Sequence, residues 1–468
     1  MSHKLNNKPI MVLGCTSDAG KSLIVTAICR LLANRGVKVA PFKAQNMSNN
    51  AAITKNGLEI GRAQYLQAIA AKTEPTMLMN PVLLKPSAET FSQVIVNGKV
   101  DHEVSNLPWM ERKKVVWPKV LEALGQLQDE YEQIVIEGAG SPAEINLREG
   151  DIVNMSVALA CQADVYLVSD IDRGGSFAHL LGTWACLAKE EQSLIKGFVL
   201  NKFRGDPKLL GNAMEWLEQK TGIPTVANLP YHRHELPEED SFRLGAKWKK
   251  GAVNVALIFY PYASNLDEFD ALIYQGDVNL VPVHQKQDLS LFDAIILPGS
   301  KNSGKSLAFL ISTALDQSII QFKKTGKPVL GICGGLQILG TEIKDPLNIE
   351  DGDKQSLGLI ELNTSLVASK ETTQKTVQWE SGELNVYEIH HGISNTLSPA
   401  VTSFISSGIG WQQDNVYTCY FHGLFDNAVF FNWFMEKLNA PQNGINWKYH
   451  VDKELDKLAL MFEKHGWL

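Results

Sequence analysis

The chain has 468 residues, 44% of them hydrophobic, which suits two or three cored domains rather than one. Lys and Arg number 44 against 51 Asp and Glu, a net charge of −7 that excludes a general nucleic-acid or anionic-membrane surface but leaves room for a local basic pocket. The six cysteines (15, 29, 161, 186, 333 and 419) show neither close metal-ligand spacing nor a disulfide framework. With no signal-peptide-like run near the N-terminus and no uncharged stretch of the ~20 apolar residues that span a bilayer, they point to a cytoplasmic setting without membrane insertion.

Ile10–Leu13 reads as a buried strand, followed by a Gly-rich turn, a helix over Ser22–Asn34 and a second strand over Val37–Pro41. That order begins an α/β unit with a parallel sheet. Further strands are expected over Gln133–Glu137, Asp164–Ser169 and Gly197–Leu200, each followed by glycine, amide or charged residues. Ligands of such sheets bind at the carboxyl ends of the strands. His232–Lys250 is polar and dense in charge, so the linker is set at 236–250, between an ATP-binding domain at 1–235 and a second α/β domain at 251–440. Strands are expected there over Val253–Phe259, Ala294–Leu297, Pro328–Ile332, Leu384–Ile389 and Val416–Phe421. An amphipathic helix over Val451–Lys464 lies in a C-terminal extension, 441–468.

Gly14-Cys15-Thr16-Ser17-Asp18-Ala19-Gly20-Lys21-Ser22 stands between strand and helix, where backbone N–H groups and a helix N-terminus cradle phosphates. Lys21 would neutralise β- and γ-phosphate charge and Ser22 would reach Mg²⁺. Five residues separate Gly14 from Gly20, one more than in the common loop. Candidate Mg²⁺ ligands are Ser22, Asp18 and Glu137, with Asp170 and Asp172 next, since a hard cation takes carboxylate oxygens beside phosphate oxygens. Asn201 is a candidate for the nucleotide base. Lys43, Asn46 and Asn49 follow the second strand and suit a phosphoryl group or a carboxylate-rich substrate; structural turn roles fit these amides as well.

Gly331-Ile332-Cys333-Gly334-Gly335 joins a strand to an apolar helical stretch, the grammar of a nucleophile elbow with cysteine in the serine position. The Gly334 N–H, with a second donor near Gly299, would hold an oxyanion. His422 is the chosen base, with His390 and His391 as rivals by residue type.

Both sites resemble one family, the cobyric acid synthases. The resemblance rests on the strings Pro41–Asn50, Met79–Pro86, Glu137–Leu147, Asp170–Gly175, Asn201–Asp206 and Tyr387–His390, in that order. It implies an N-terminal P-loop NTPase-like domain of the dethiobiotin synthetase kind, which carries the same longer loop. It also implies a C-terminal domain like the class I glutamine amidotransferases. The implied reaction joins ATP, Mg²⁺ and L-glutamine, the ammonia donor, to amidate a corrinoid, adenosylcobyrinic acid a,c-diamide. Cys333 would be the nucleophile and His422 its base. Ordinary class I members place a glutamate two residues after that histidine; here Leu424 stands there, which leaves the orienting partner of His422 unassigned. Family members usually carry an acid near position 305, where this chain has Lys305. Rival readings are cobyrinic acid a,c-diamide synthase, a cell-wall precursor amidotransferase and a non-catalytic nucleotide-binding protein. A homo-oligomer is compatible with the sequence.

Overall fold

The computed structural model describes residues 8–88, 91–237, 249–275, 277–380, 382–406 and 408–465. Most of the expected linker lies outside them. The chain forms two compact units, Met1–Ser48 with Leu58–Leu236 and Val451–Leu468, and Asn49–Gly57 with Pro237–His450. Residues 49–57 therefore leave the first unit for the second, and the last eighteen residues belong with the first unit rather than standing apart as an extension.

The first unit is built on a six-stranded, wholly parallel sheet. Its strands lie in the order Thr225–Pro230, Ile195–Phe203, Asp164–Asp170, Ile10–Gly14, Gln133–Glu137 and Val39–Phe42. Apolar residues fill the central strands because both faces of such a sheet are covered. The helix Lys21–Asn34 packs on it through Ile24, Ile28, Leu31 and Leu32, at the spacing of a single helical stripe. Each such side chain contributes about 1.5–3 kcal/mol of transfer free energy on full burial. The helix stops in a Schellman turn: Gly36, at φ 82°, donates to Ala33 O and Val37 donates to Leu32 O. Its second half is tied by Arg30, 2% exposed, which pairs with Asp452 at 2.7 Å and Asp456 at 2.8 Å on the helix Trp447–Lys464.

The second unit carries a seven-stranded sheet. Val278–Val283, Val253–Ile258, Ala294–Leu297, Val329–Ile332 and Val416–Cys419 run parallel, and Gly410–Gln413 and Thr402–Ser403 complete it antiparallel. The expected strand at Leu384–Ile389 lies in the first half of a longer one, Gly382–Thr396, paired with Leu362–Trp379 in an extended hairpin. Its polar residues on alternate positions hide it from a search for apolar runs. Trp379 fastens the hairpin by packing on Phe430, Trp433 and Phe404 with ring centroids 5.5–5.6 Å apart. All six cysteines are free. Among the described residues no helix is long and apolar enough to cross a membrane.

Candidate active site

The parallel register of the first sheet brings the ends of Ile10–Gly14, Gln133–Glu137 and Asp164–Asp170 to one edge. Gly20 turns the loop into the helix at φ 94°, a left-handed conformation, and the Asn201 side chain fills the space that a Cβ would need there. Asn201 Nδ2 donates to Ala19 O at 2.8 Å, so this residue grips the phosphate loop from below. Thr16 is half-buried, and Ser17 and Asp18 are exposed. Lys21 Nζ bends back to Gly140 O at 3.1 Å and Thr16 O at 3.4 Å. Burial, the main cause, draws the pKa of Lys21 below its ordinary value, against the attraction of Glu137.

Glu137 is the centre of this site. Its Oε1 accepts from Ser22 Oγ and from Lys43 Nζ, both at 2.8 Å, and its Oε2 accepts from Gln67 Nε2 at 2.6 Å. Burial acts to raise the carboxyl pKa, but the Lys43 charge and the hydrogen bonds from Lys43, Gln67 and Ser22 outweigh it and hold it below the usual value. Oxygen atoms of Ser22 and Glu137 at 2.8 Å match the roughly 2.9 Å between neighbouring ligands of a Mg²⁺ ion bound at ~2.1 Å, so this pair fits the cation. Asp18 stands outside the cluster, exposed and paired with Arg173 at 3.5 Å. Asp170 takes Lys202 at 2.9 Å, and Asp172 takes Arg204 at 3.1 Å. Asn46 is buried against Gly61 in the first unit, whereas Asn49 begins the segment that belongs to the second. Gln67 escaped the sequence reading: a glutamine on a helix carries no motif, and only the fold aims it at Glu137.

In the second unit Cys333 adopts φ 52° and ψ −106°, a strained backbone for a non-glycine residue, between the strand Val329–Ile332 and the helix Gly334–Leu339. The sheet holds it there, since Cys333 N donates to Cys419 O at 2.8 Å. Its neighbour must be small: a Cβ on Gly334 would stand 2.6 Å from Ser300 N. A Cβ on Gly299 would stand 2.9 Å from His422 Cε1, which puts both expected oxyanion donors beside the elbow and the imidazole. The Cys333 thiol donates to Ile389 O at 3.8 Å, and the Cys333 side chain acts on the His422 ring to favour its charged form.

The missing partner of His422 is Glu268. His422 Nδ1 donates to Glu268 Oε1 at 2.9 Å, and Gly423 N donates to Glu268 Oε2 at 3.2 Å, with both side chains 2% exposed. Glu268 comes from the 3₁₀ turn Leu266–Phe269, more than 150 positions before the histidine, so no local spacing signals it. Burial disfavours the charged ring, but Glu268 and the Cys333 side chain prevail and raise the His422 pKa to about 10. His390 has both nitrogens engaged, by Gly392 O at 2.8 Å and Glu388 at 3.1 Å, and His391 turns to Val367 O at 3.1 Å.

Residues 10–242 match the CobQ/CobB/MinD/ParA nucleotide binding domain, and residues 254–430 match the CobB/CobQ-like glutamine amidotransferase domain. The chain is 48% identical to the cobyric acid synthase of Deinococcus radiodurans over 92% of its own length and 93% of that protein. It belongs to the cobyric acid synthase family. The cobyric acid synthase of Albidiferax ferrireducens is 45% identical over 98% of this chain and 97% of its own, and that of Acidovorax sp. is 47% identical over 90% of each. The enzyme is thus a glutamine-hydrolysing ligase that uses ATP and Mg²⁺ to form amides, on a P-loop NTPase-like domain joined to a class I amidotransferase-like domain.

The loop at 301–306 is braced by a neighbouring loop. Glu350 Oε2 accepts from Ser303 N at 2.6 Å at the start of the helix Ser303–Ser312, so the acid that favours a helix N-terminus arrives from another loop. Lys305 pairs with Asp351 at 3.5 Å.

Proposed function

We propose that this enzyme amidates the b, d, e and g carboxylates of adenosylcobyrinic acid a,c-diamide, giving adenosylcobyric acid in cobalamin biosynthesis. The observation that carries the substrate is identity of 45–48% to cobyric acid synthases along nearly the whole chain. A cytoplasmic location fits this reading.

An ionised carboxylate resists ammonia because it carries charge and lacks a leaving group. Transfer of the γ-phosphoryl group of ATP gives an acyl phosphate and ADP, and ammonia then displaces phosphate to leave the amide. Mg²⁺, held by Ser22 and Glu137, would neutralise phosphate charge when bound. Lys21 and Lys43 place fixed positive charge where the transferring oxygens gain it. Gly14, Gly20 and the intervening N–H groups hold the phosphates, and Asn201 keeps the loop in shape.

At the other site Cys333 attacks the side-chain amide of glutamine, with the oxyanion facing the Gly299 and Gly334 N–H groups. The His422 imidazolium delivers its proton to the departing ammonia, and the neutral ring then takes a proton from the water that hydrolyses the glutamyl thioester. Glu268 keeps the ring oriented and stabilises its charge, as the aspartate does in a serine-protease triad.

Incubation with ATP, Mg²⁺, glutamine and each corrinoid acid, followed by mass spectrometry, tests the substrate. One amide at each of the b, d, e and g positions of the a,c-diamide is expected; no mass change on any corrinoid refutes the proposal. Cys333→Ala should abolish glutamine use and retain synthesis from concentrated ammonium at raised pH. Loss of both activities would show that the two sites are wrongly separated.

A further inference from the structure

His422 is supported from two directions, and one residue touches both supports. Asn265, 1% exposed, adopts a left-handed conformation at φ 58° and opens the 3₁₀ turn that carries Glu268. Its Nδ2 donates to the Tyr387 hydroxyl at 2.6 Å. Tyr387 stacks on the His422 ring with centroids 5.2 Å apart and planes 20° apart. The same two residues exchange backbone hydrogen bonds of 2.8 and 3.2 Å. One support thus holds Nδ1 and the other the face of the ring.

Asn265 is itself held by residues 49–57. Its backbone N–H donates to Asn50 Oδ1 at 2.7 Å, and its Nδ2 also donates to Ala51 O at 3.3 Å. The segment is fixed further along by Gln374, which donates to Ile53 O, and by Thr372 Oγ1, which donates to Gly57 O at 2.6 Å. All these residues belong to the second unit, yet the peptide bond before Asn49 joins the segment to the stretch Lys43–Ser48 of the first.

We propose that residues 49–57 are a positioning strut for His422, through which glutamine hydrolysis answers to the state of the Lys43–Ser48 stretch. This rests on the assignment of glutamine hydrolysis to Cys333 and His422 and of phosphoryl transfer to Lys43. The path is short: a shift of Asn50 moves Asn265, and Asn265 moves both the Glu268 turn and the Tyr387 hydroxyl. A misplacement near 1 Å in a catalytic group costs about a hundredfold in rate, so a small displacement suffices. Hydrolysis that waits for an acceptor avoids releasing ammonia with nothing to receive it.

The test compares glutamine hydrolysis with and without ATP-Mg²⁺ plus the corrinoid a,c-diamide, in the full-length enzyme and in Tyr387→Phe and Asn265→Ala. The native enzyme should be stimulated roughly tenfold or more, within the range that such a displacement provides. Both variants should lose most of that stimulation through kcat, with KM for glutamine changed less than about twofold, while ammonia-driven synthesis continues. A native enzyme equally fast with and without the ligands overturns the proposal. So does full stimulation in Tyr387→Phe, which removes one hydroxyl and decides the matter even where Asn265→Ala fails to fold. Glutamine hydrolysis that persists in Cys333→Ala would instead refute the underlying site assignment.

Discussion

Glu268→Gln isolates the charge that faces His422. The substitution keeps the size of the side chain and an acceptor for the Nδ1 proton, but removes the negative charge set 2.9 Å from that nitrogen. A hydrogen bond to a charged group is worth about 1.5–3 kcal/mol, which corresponds to roughly a 10- to 150-fold loss in kcat/KM for glutamine. The pH profile gives a sharper signature. Burial lowers the His422 pKa and Glu268 is the foremost cause opposing it, so the basic limb set by the ring should move from near pH 10 toward neutrality. Glutamine hydrolysis followed by ammonia release between pH 6 and 10.5 measures both effects, with ammonia-driven synthesis as the control for folding. Activity within threefold of the native enzyme at every pH, with an unmoved basic limb, would refute the assignment of Glu268 as the partner of His422. Linkage adds a thermodynamic check. The raised pKa of His422 gives a stabilisation that is complete below its unfolded value of ~6.5 and is lost as pH rises through about 10. The thermal midpoint of the native enzyme should fall across that window, less steeply in Glu268→Gln.

Glu350→Gln addresses a second buried acid, whose carboxyl is pushed to about 7, chiefly by burial against the relief given by the Ser303 N–H. That raised pKa means stability is lost between about pH 4.5 and 7; the amide should recover about 1–3 kcal/mol at pH 8 and none at pH 4, read by denaturant titration. Lys43→Gln leaves Glu137 without its main opposing charge. Synthesis from either nitrogen source should drop about a hundredfold or more, with unstimulated glutamine hydrolysis changed less than threefold. Trp379→Ala removes the aromatic anchor of the long hairpin and should cost about 3–5 kcal/mol by chemical denaturation. An unchanged midpoint would show that the hairpin is held elsewhere.

Much of the molecule was legible in the sequence where function imposes local grammar. The strands Gln133–Glu137 and Ala294–Leu297 fall on their expected limits because buried parallel strands are continuous apolar runs ended by glycine or proline. Cys333 was legible because a strained turn demands small neighbours. Residues that act across long chain separations were not. Glu268 and Gln67 look like ordinary residues of a turn and a helix until the chain folds, and the hairpin partner of Gly382–Thr396 is too polar to register as a strand. Asn49 illustrates the same limit, since adjacency to Lys43 in sequence did not place the two in one unit.

The interleaving of the two units also governs how the gene can be divided. The first unit takes three segments and the second takes two, so the polypeptide passes between them four times. A single cut near residue 237 would leave the ammonia-producing half without the peptide that braces its histidine. The other half would lose the C-terminal helix that shields Arg30. Neither fragment would be a self-sufficient enzyme, and stand-alone production of the glutaminase requires a permuted design that restores residues 49–57 to it. Duplication or exchange of one activity without the other is correspondingly difficult for a gene of this layout, which ties the history of the two activities together.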